Sequence, residues 1–394
     1  MKKSYLLMAL ASLAFSGCSQ NEIMEVNPDA NAPIGFGVYT ETQTRGLVTD
    51  NSNTNGTTNG LKVTGKGFGV MAYLTKNKGY TSATYSERLL FMDNPQVTFA
   101  NTAWTYAPTK YWPNNGTDKI SFFAYAPYTS TPTSATDGIK LTSAPSASQA
   151  DPTLTFTLLD QKKMVDLVVS TAQLDKQKNT VTFDFKHVLS KIAMQAKLDK
   201  DLSTNEQTRV YITNIQFEHT TKLSKTATIN MNSSAWAYSV TSATTDYLPN
   251  PYVLGDGANT GTGILNMSTP SWHGYTTKSI QLVNTTAKNL FVDNQYLFFI
   301  PVNNTGLMNA GDVKLTVEYD IVTIPSGDKV TTNNNAVASH HKKTINLANN
   351  SFAKGAAYLY TLTIGMNEIK LDVTDFNWNN AGSVEVPVQP ETII

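Results

Sequence analysis

The chain has one cysteine, Cys18, among its 394 residues, so no disulfide bond can form within it. Charge is also sparse: charged residues make up 15% of the chain, whereas about a quarter is usual. The 30 basic and 30 acidic residues cancel, which gives no electrostatic reason to expect a nucleic acid as partner. Long stretches of helical periodicity are missing as well, and only residues 86–92 are expected to form a short helical turn.

The cysteine closes an N-terminal segment that is typical of an export signal. Lys2 and Lys3 precede an apolar run from Tyr5 to Phe15, which is shorter than the about 20 residues that a membrane-spanning helix needs. Small residues that end directly at a cysteine resemble a bacterial lipobox, which implies cleavage before Cys18 and lipidation of its thiol. Two or three acyl chains would anchor the protein stably in a membrane. An ordinary signal peptide with a chance cysteine is the alternative.

Short segments of alternating apolar and polar residues make up much of the remaining sequence. The clearest are Ile34–Tyr39, Ile192–Leu198, Val210–Phe217 and Val313–Tyr319. Gly67–Leu74 is expected to be a core strand, and further strands are predicted at Lys119–Ala126, Val181–Phe185, Ala357–Ile364 and Ile369–Phe376. Turn residues separate them, and no helices stand between them as a βαβ fold would require. The pattern and the length predict an all-β protein of two tandem antiparallel β-sandwich domains.

Changes in composition suggest how the chain is divided. Residues 49–60 are rich in Asn, Thr and Gly and are expected to be an exposed loop, and residues 129–152 a long surface loop. A shift in composition near residues 176–179 predicts a domain boundary. The predicted division is a signal peptide at 1–17, a tether and removable first strand at 18–45, an N-terminal sandwich at 46–178, a C-terminal sandwich at 179–380 and a candidate donor strand at 381–394.

Patterns that would indicate an enzyme, a metal or a cofactor are weak. The glycines of residues 65–69 lead into a strand rather than a helix, unlike a phosphate-binding loop. His340 and His341 are neighbours, and adjacent residues on a strand point to opposite faces, so they would chelate a metal poorly. Sequence alone does not exclude a carboxylate pair for glycoside hydrolysis. Four tryptophans could stack on sugars, although packing within the protein is the more common role: Trp104, Trp112, Trp236 and Trp272.

Four motifs resemble those of the fimbrillin-like lipoproteins of Bacteroidales. Lys110-Tyr111-Trp112-Pro113 and the strand at residues 119–128 are similar to elements of that family's N-terminal domain. Residues 183–192 (FDFKHVLSKI) resemble its F-x-H-x-L-S-K-I element at the domain junction. Residues 352–360 and Trp378 resemble its penultimate hairpin and terminal tryptophan. Together the motifs span most of the chain.

This resemblance implies a non-enzymatic pilus subunit with two β-sandwich domains of transthyretin-like topology. Such proteins reach the outer membrane and cell surface as lipoproteins, and a trypsin-like surface protease cuts them after an arginine. Arg45 and Gly46 are the matching residues here. The cut removes the first strand and opens a groove, which a strand from another fimbrial subunit then fills. The resemblance therefore implies other subunits as partners and no cofactor; a host protein or glycan is a further partner of an adhesive subunit.

The C-terminal residues offer a candidate donor strand. After a break at residues 379–382, Val384, Val386 and Val388 alternate along the chain, although Pro387 has no N–H to pair. Because donor and groove lie on different surfaces, such a contact repeats without closing and gives a filament. A disordered tail or a native edge strand is the alternative structure. The alternative functions are a surface glycan-binding outer-membrane lipoprotein that is neither cut nor polymerised and, third, a hydrolase on a β-sandwich scaffold.

Overall fold

The computed structural model describes residues 31–39, 61–62, 67–133, 137–147, 150–220, 222–238, 246–255, 263–292, 295–302, 311–325, 334–347, 352–366 and 368–375. Strands dominate this part of the chain, and its two 3-10 helices, Tyr85–Glu87 and Gln161–Lys163, have three residues each. No helix within these ranges has the length and apolar character needed to cross a membrane. The prediction of an all-β protein is confirmed.

The strands have between two and twelve residues. In chain order they are β1 (Phe36–Tyr39), β2 (Phe68–Thr75), β3 (Leu89–Ala100), β4 (Ala103–Thr105), β5 (Lys119–Ala126), β6 (Ile139–Thr142), β7 (Thr153–Thr157), β8 (Val168–Ser170), β9 (Gln173–Lys176), β10 (Val181–His187), β11 (Ser190–Leu198), β12 (Thr208–His219), β13 (Thr226–Asn230), β14 (Trp236–Tyr238), β15 (Tyr252–Val253), β16 (Ile280–Leu282), β17 (Lys288–Asn289), β18 (Leu297–Phe299), β19 (Val313–Thr323), β20 (Val337–Asn346), β21 (Ala357–Ile364) and β22 (Ile369–Asp375). Each strand with clear alternation in the sequence is found.

Two predictions about irregular segments were wrong in part. The helical turn expected at 86–92 is the 3-10 helix Tyr85–Glu87, but the residues from Leu89 onward belong to β3 because they pair with β2. The loop expected at 129–152 contains β6, which pairs with β7. Ile139 and Leu141 of β6 are buried, so this short alternation is enough for a strand although Ser, Thr and Pro surround it.

The first half of the chain forms an eight-stranded sheet in the order β1-β10-β8-β5-β2-β3-β4, with β9 beside β5. One face carries an aromatic core that includes Phe68, Phe122 and Phe183, each with no exposed surface. On the other face, Tyr73 and Phe123 pack against the smaller sheet β14-β13-β7-β6. The two sheets form a sandwich, and the larger one curls around the aromatic core.

The second half forms a sandwich of two five-stranded sheets. One has the order β17-β11-β21-β22 with β18 beside β11, and the other has the order β15-β12-β19-β20 with β16 beside β12. Inward side chains of both sheets belong to one core, and the rings of Phe217 on β12 and Phe299 on β18 meet edge to face at 5.4 Å. Among the described pairings, β1–β10 and β11–β21 are parallel, and the others are antiparallel.

Strands from both sides of the predicted boundary at residues 178 and 179 share sheets. β10, which follows that boundary, lies in the first sheet, and β13 pairs with β7. The chain passes from β10 to β11, and so from the first sandwich to the second, through buried Val188 and Leu189. The division at 178 and 179 stays a prediction. Residues 226–238, which follow it in the sequence, contribute strands β13 and β14 to the first sandwich.

Candidate functional site in the slot of the first strand

The first strand, expected at Ile34–Tyr39 and found as β1, is the outermost strand of the large sheet. It runs parallel to β10, with Phe36 opposite Val181 and Tyr39 opposite Asp184. The N–H of Val181 donates to the carbonyl oxygen of Gly35 at 2.9 Å. One edge of this segment is therefore paired with the sheet over most of its length.

The opposite edge, just before β1, is also paired. The N–H of Ile34 donates to the carbonyl oxygen of Lys110 at 2.8 Å, and the N–H of Trp112 donates to the carbonyl oxygen of Ala32 at 3.0 Å. Pro33 lies opposite Tyr111 in an antiparallel bridge. Residues 31–34 thus pair with residues 110–112 on one edge and residues 35–39 with β10 on the other, and we call the space that residues 31–39 occupy the first-strand slot.

The floor of the first-strand slot is aromatic. Ile34 and Phe36 are the inward side chains, with 2% and 6% of their surface exposed. The ring of Phe36 meets those of Tyr106, Phe122 and Phe183 at centroid distances of 5.0, 5.9 and 5.5 Å. Aromatic pairs at these distances attract each other beyond the effect of burial alone. The first strand therefore completes a core and does not merely cover it.

One phenol links the strand to the wall of the first-strand slot. The hydroxyl of Tyr106 donates to the carbonyl oxygen of Ile34 at 3.0 Å, and the N–H of Lys110 donates to the hydroxyl oxygen at 3.2 Å. Burial raises the pKa of Tyr106, so the phenol stays a neutral donor at physiological pH. The contacts that hold the strand are thus backbone hydrogen bonds, one phenol and apolar surface rather than ion pairs.

Loss of residues 31–39 would expose unpaired backbone groups and apolar surface. The N–H groups of Val181 and Trp112 would lose their partners, and each unmade buried hydrogen bond costs about 1–3 kcal/mol. Uncovering the sites of Ile34 and Phe36 would cost about 1.5–3 kcal/mol for each side chain. A second extended chain with apolar residues two apart would satisfy the backbone and the apolar floor together.

The residues that the sequence assigned to export, processing and donation lie outside the described residues. These are Cys18, Arg45, Gly46, Val384, Val386 and Val388. Arg45 follows Tyr39, the last residue of β1, by six residues in the sequence. Val384 begins its alternation nine residues after Asp375, where β22 ends.

The other candidate residues have structural partners. Gly67 has a positive φ of 88° and leads directly into β2, which agrees with the expectation that residues 65–69 open a strand. On β20, Nδ1 of His340 lies 2.6 Å from Oδ1 of Asp320, whereas His341 stacks on Tyr319 at 5.0 Å. Within the described ranges no group of three or more His, Cys, Asp or Glu residues could hold a metal ion.

All four candidate sugar-stacking tryptophans make packing contacts or hydrogen bonds. Trp104 packs between Phe68 and Phe99, and Trp112, 3% exposed, lies against Phe122. Nε1 of Trp236 donates to the carbonyl oxygen of Val188 at 2.9 Å, and the guanidinium of Arg209 lies 5.2 Å from the Trp272 ring.

The motif at residues 183–192 provides a buried polar cluster at the passage between the sandwiches. Nδ1 of His187 lies 2.9 Å from Oδ2 of fully buried Asp166. The amine of Lys191 lies 3.8 Å from the Tyr296 ring centre, and burial lowers the pKa of Lys191 to about 8, against an opposing effect of Asp166. Ser190 Oγ donates to the carbonyl oxygen of Ala353 at 2.6 Å, so the motif joins distant parts of the second half.

Sequence reasoning missed the residues that form the first-strand slot. Tyr106 contacts Ile34 across 72 positions, and β10 pairs with β1 across a still longer separation. The Lys110–Pro113 motif supplies one wall, but only its resemblance to the family drew attention to it. No local pattern indicates that these segments meet.

The geometry defines a class of protein: an all-β protein whose N-terminal segment completes the first sandwich as an edge strand over an aromatic core. The model of the fimbrillin-like family matches residues 52–378. The chain is 37% identical, over 99% of its length and all of the relative's, to the fimbrium subunit Fim1C of Phocaeicola vulgatus. It also resembles the crystal structure of a fimbrial protein from Bacteroides vulgatus, with 31% identity, a TM-score of 0.70, and coverage of 88% of this chain and 99% of that one. The chain belongs to the fimbrillin-like family.

Proposed function

We propose that this chain is a non-enzymatic structural and adhesive subunit of a cell-surface fimbria, which polymerises when β1 is replaced by a strand of another fimbrial subunit. The observation that carries the proposal is the first-strand slot, in which residues 31–34 bond to residues 110–112 on one edge, residues 35–39 bond to β10 on the other, and the segment covers an aromatic floor. Family membership and the likeness to fimbrial proteins support the same role.

Processing would convert β1 from a covalent part of the fold into a replaceable one. A trypsin-like surface protease cutting between Arg45 and Gly46 would leave residues 31–39 attached only through the contacts of the first-strand slot. An empty slot exposes unpaired backbone groups and apolar surface, which favours the addition of a strand. A donor strand and a slot are different surfaces of the subunit. Each subunit that is added therefore leaves one donor strand and one slot unoccupied at the two ends, and a filament grows.

The ends of the chain would supply export and donation. Lipidation of Cys18 would hold the precursor at the outer membrane until the cut releases Gly46 and the folded part from the anchor. The alternating Val384, Val386 and Val388 form a candidate donor that a slot on another subunit could accept. The partners in this proposal are fimbrial subunits, the protease and the lipid anchor.

The test is a pair of substitutions at the processing site, expressed in a bacterium that makes the fimbria. Arg45→Ala removes the basic residue that a trypsin-like protease needs, whereas Arg45→Lys keeps it and is the matched control. We expect Arg45→Ala to reach the surface with β1 attached and to stay out of SDS-resistant ladders on unboiled gels. Arg45→Lys should form ladders like the unaltered chain. Ladders of normal length from Arg45→Ala would contradict the proposal.

A further inference from the structure

The inward side chain of Phe36 lies in a pocket formed by three other aromatic rings. Tyr106, Phe122 and Phe183 surround it at centroid distances between 5.0 and 5.9 Å. On either side along the strand, Ile34 is buried and Val38 is half-buried. The first-strand slot therefore has one position that takes a large flat side chain and neighbouring positions that take aliphatic ones.

The walls of this pocket are themselves held in place. Trp112 packs edge to face on Phe122 at 5.9 Å, and Phe68 packs edge to face on Phe183 at 5.5 Å. The Tyr106 hydroxyl is fixed by its hydrogen bond from the N–H of Lys110. Because close-packed surroundings relax only partly around a missing group, a small side chain in the place of Phe36 would leave a cavity.

The chain's own candidate donor does not match this pocket. Residues 379–394 contain no aromatic residue, and the alternating positions carry Val384, Val386 and Val388. Every register of this segment in the slot would place an aliphatic or polar side chain where Phe36 now lies. A donor strand from a second copy of this chain would leave empty space at the position of Phe36, which the three aromatic rings surround closely.

The backbone gives an independent mismatch in the register that keeps all three valines inward. Phe36 pairs in parallel with Val181, and the Val181 N–H donates to the carbonyl oxygen of Gly35. In a parallel ladder the next bond comes from the N–H of the residue after Phe36, which is Gly37. With Val386 in the place of Phe36, Pro387 would occupy this position and could not donate.

The side chain of that residue would also be crowded. A Cβ atom at Gly37 would lie 3.3 Å from Oγ1 of Thr182, which is tighter than an ordinary contact. A proline ring extends beyond its Cβ, so it would press further on β10. Backbone and side chain at this position thus both disfavour Pro387.

We propose that the first-strand slot selects a donor strand that carries an aromatic residue at the place of Phe36, and that this donor comes from a different fimbrial subunit rather than from a second copy of this chain. The inference rests on the proposed function, because it names the partner that strand exchange would bring to the slot. It makes the chain an acceptor within a filament of mixed composition.

Peptide exchange tests the selection without altering the folded protein. The full mature chain, cut between Arg45 and Gly46, is incubated to equilibrium with synthetic peptides, and the released first-strand segment is measured by mass spectrometry. The peptides are the native sequence 379–394 and its variants Val386→Phe, Val388→Phe, Val386→Leu and Glu385→Phe. Val386→Leu controls for bulk alone, and Glu385→Phe puts an aromatic on the outward face. An isotope-labelled peptide of residues 31–45 reports whether exchange occurs at all.

We expect the better of Val386→Phe and Val388→Phe to reach half-displacement at a concentration about tenfold or more below the native peptide, because an aromatic residue fills the cavity that valine leaves. Val386→Leu and Glu385→Phe should stay within about threefold of the native peptide. A native peptide as effective as the best aromatic variant would overturn the selectivity and leave strand exchange intact. Failure of the labelled 31–45 peptide to exchange would overturn the proposed function as well.

Discussion

Replacing Phe36 by alanine tests how much the first strand contributes to the folded precursor. The Phe36 side chain is 6% exposed and meets three aromatic rings, so its loss removes a large apolar group and leaves a cavity. Truncation of a buried phenylalanine costs about 3–5 kcal/mol. Val38→Ala in the same strand is the matched control, and because Val38 is only half-buried we expect it to cost about 1 kcal/mol.

Amide hydrogen exchange in the uncut chain gives a local readout, since a protein with two sandwiches need not unfold in one step. The N–H groups of Val181 and Trp112 bond to residues 31–39, so their protection reports whether the strand is in place. Phe36→Ala should accelerate their exchange by about a hundredfold or more, given that 1.4 kcal/mol is a factor of ten. Exchange within threefold of the unaltered chain would refute the idea that Phe36 holds the strand. Under the proposed function β1 leaves on assembly, so the substitution should have no effect in the filament.

Three further predictions concern the Tyr106 hydroxyl, the Lys191 amine and the C-terminal residues. Tyr106→Phe removes the hydroxyl that bonds to Ile34 and should weaken the binding of the first strand by about 1 kcal/mol, measured as faster exchange at Trp112. Lys191 has a pKa lowered to about 8 by burial, so the unfolded chain binds the extra proton between about pH 8 and 10.5 and the stability of the folded chain rises with pH in that window. Relative to Lys191→Met, the unaltered chain should gain about 2 kcal/mol in urea unfolding between pH 7.5 and 9.5; an unchanged difference would contradict this. Deletion of residues 383–394 should leave folding and export intact but end filament growth at that subunit, as seen by electron microscopy, and filaments of normal length would contradict the donor role.

The all-β fold and the first strand could be predicted because alternation is a local property of the sequence. Phe36 and Val38 lie two apart and point to the same face, and that spacing is visible without any partner. The first-strand slot was not predictable in this way. Its walls are residues 110–112 and β10. No residue pattern in β1 or β10 indicates that these two strands pair in parallel.

Among the strands that were not predicted, β6 and β20 have patterns that are weak for physical reasons. β6 has only two buried apolar residues and lies among Ser, Thr and Pro. β20 is the last strand in its sheet, so it needs few apolar side chains. On the face of β20 that is turned to the core, His341 stacks on the ring of Tyr319. His340 and His341, which the sequence makes poor metal ligands, both lie on this edge strand.

In the proposed function, the subunit in a fimbria has lost β1 and holds a strand from another subunit in its place. Intact mass and N-terminal sequencing of this chain, taken from filaments sheared from cells and compared with unboiled gels, test it most directly. We expect a chain that begins at Gly46 within an SDS-resistant ladder. A lipidated chain that begins at Cys18, retains residues 31–39 and forms no ladder would contradict it.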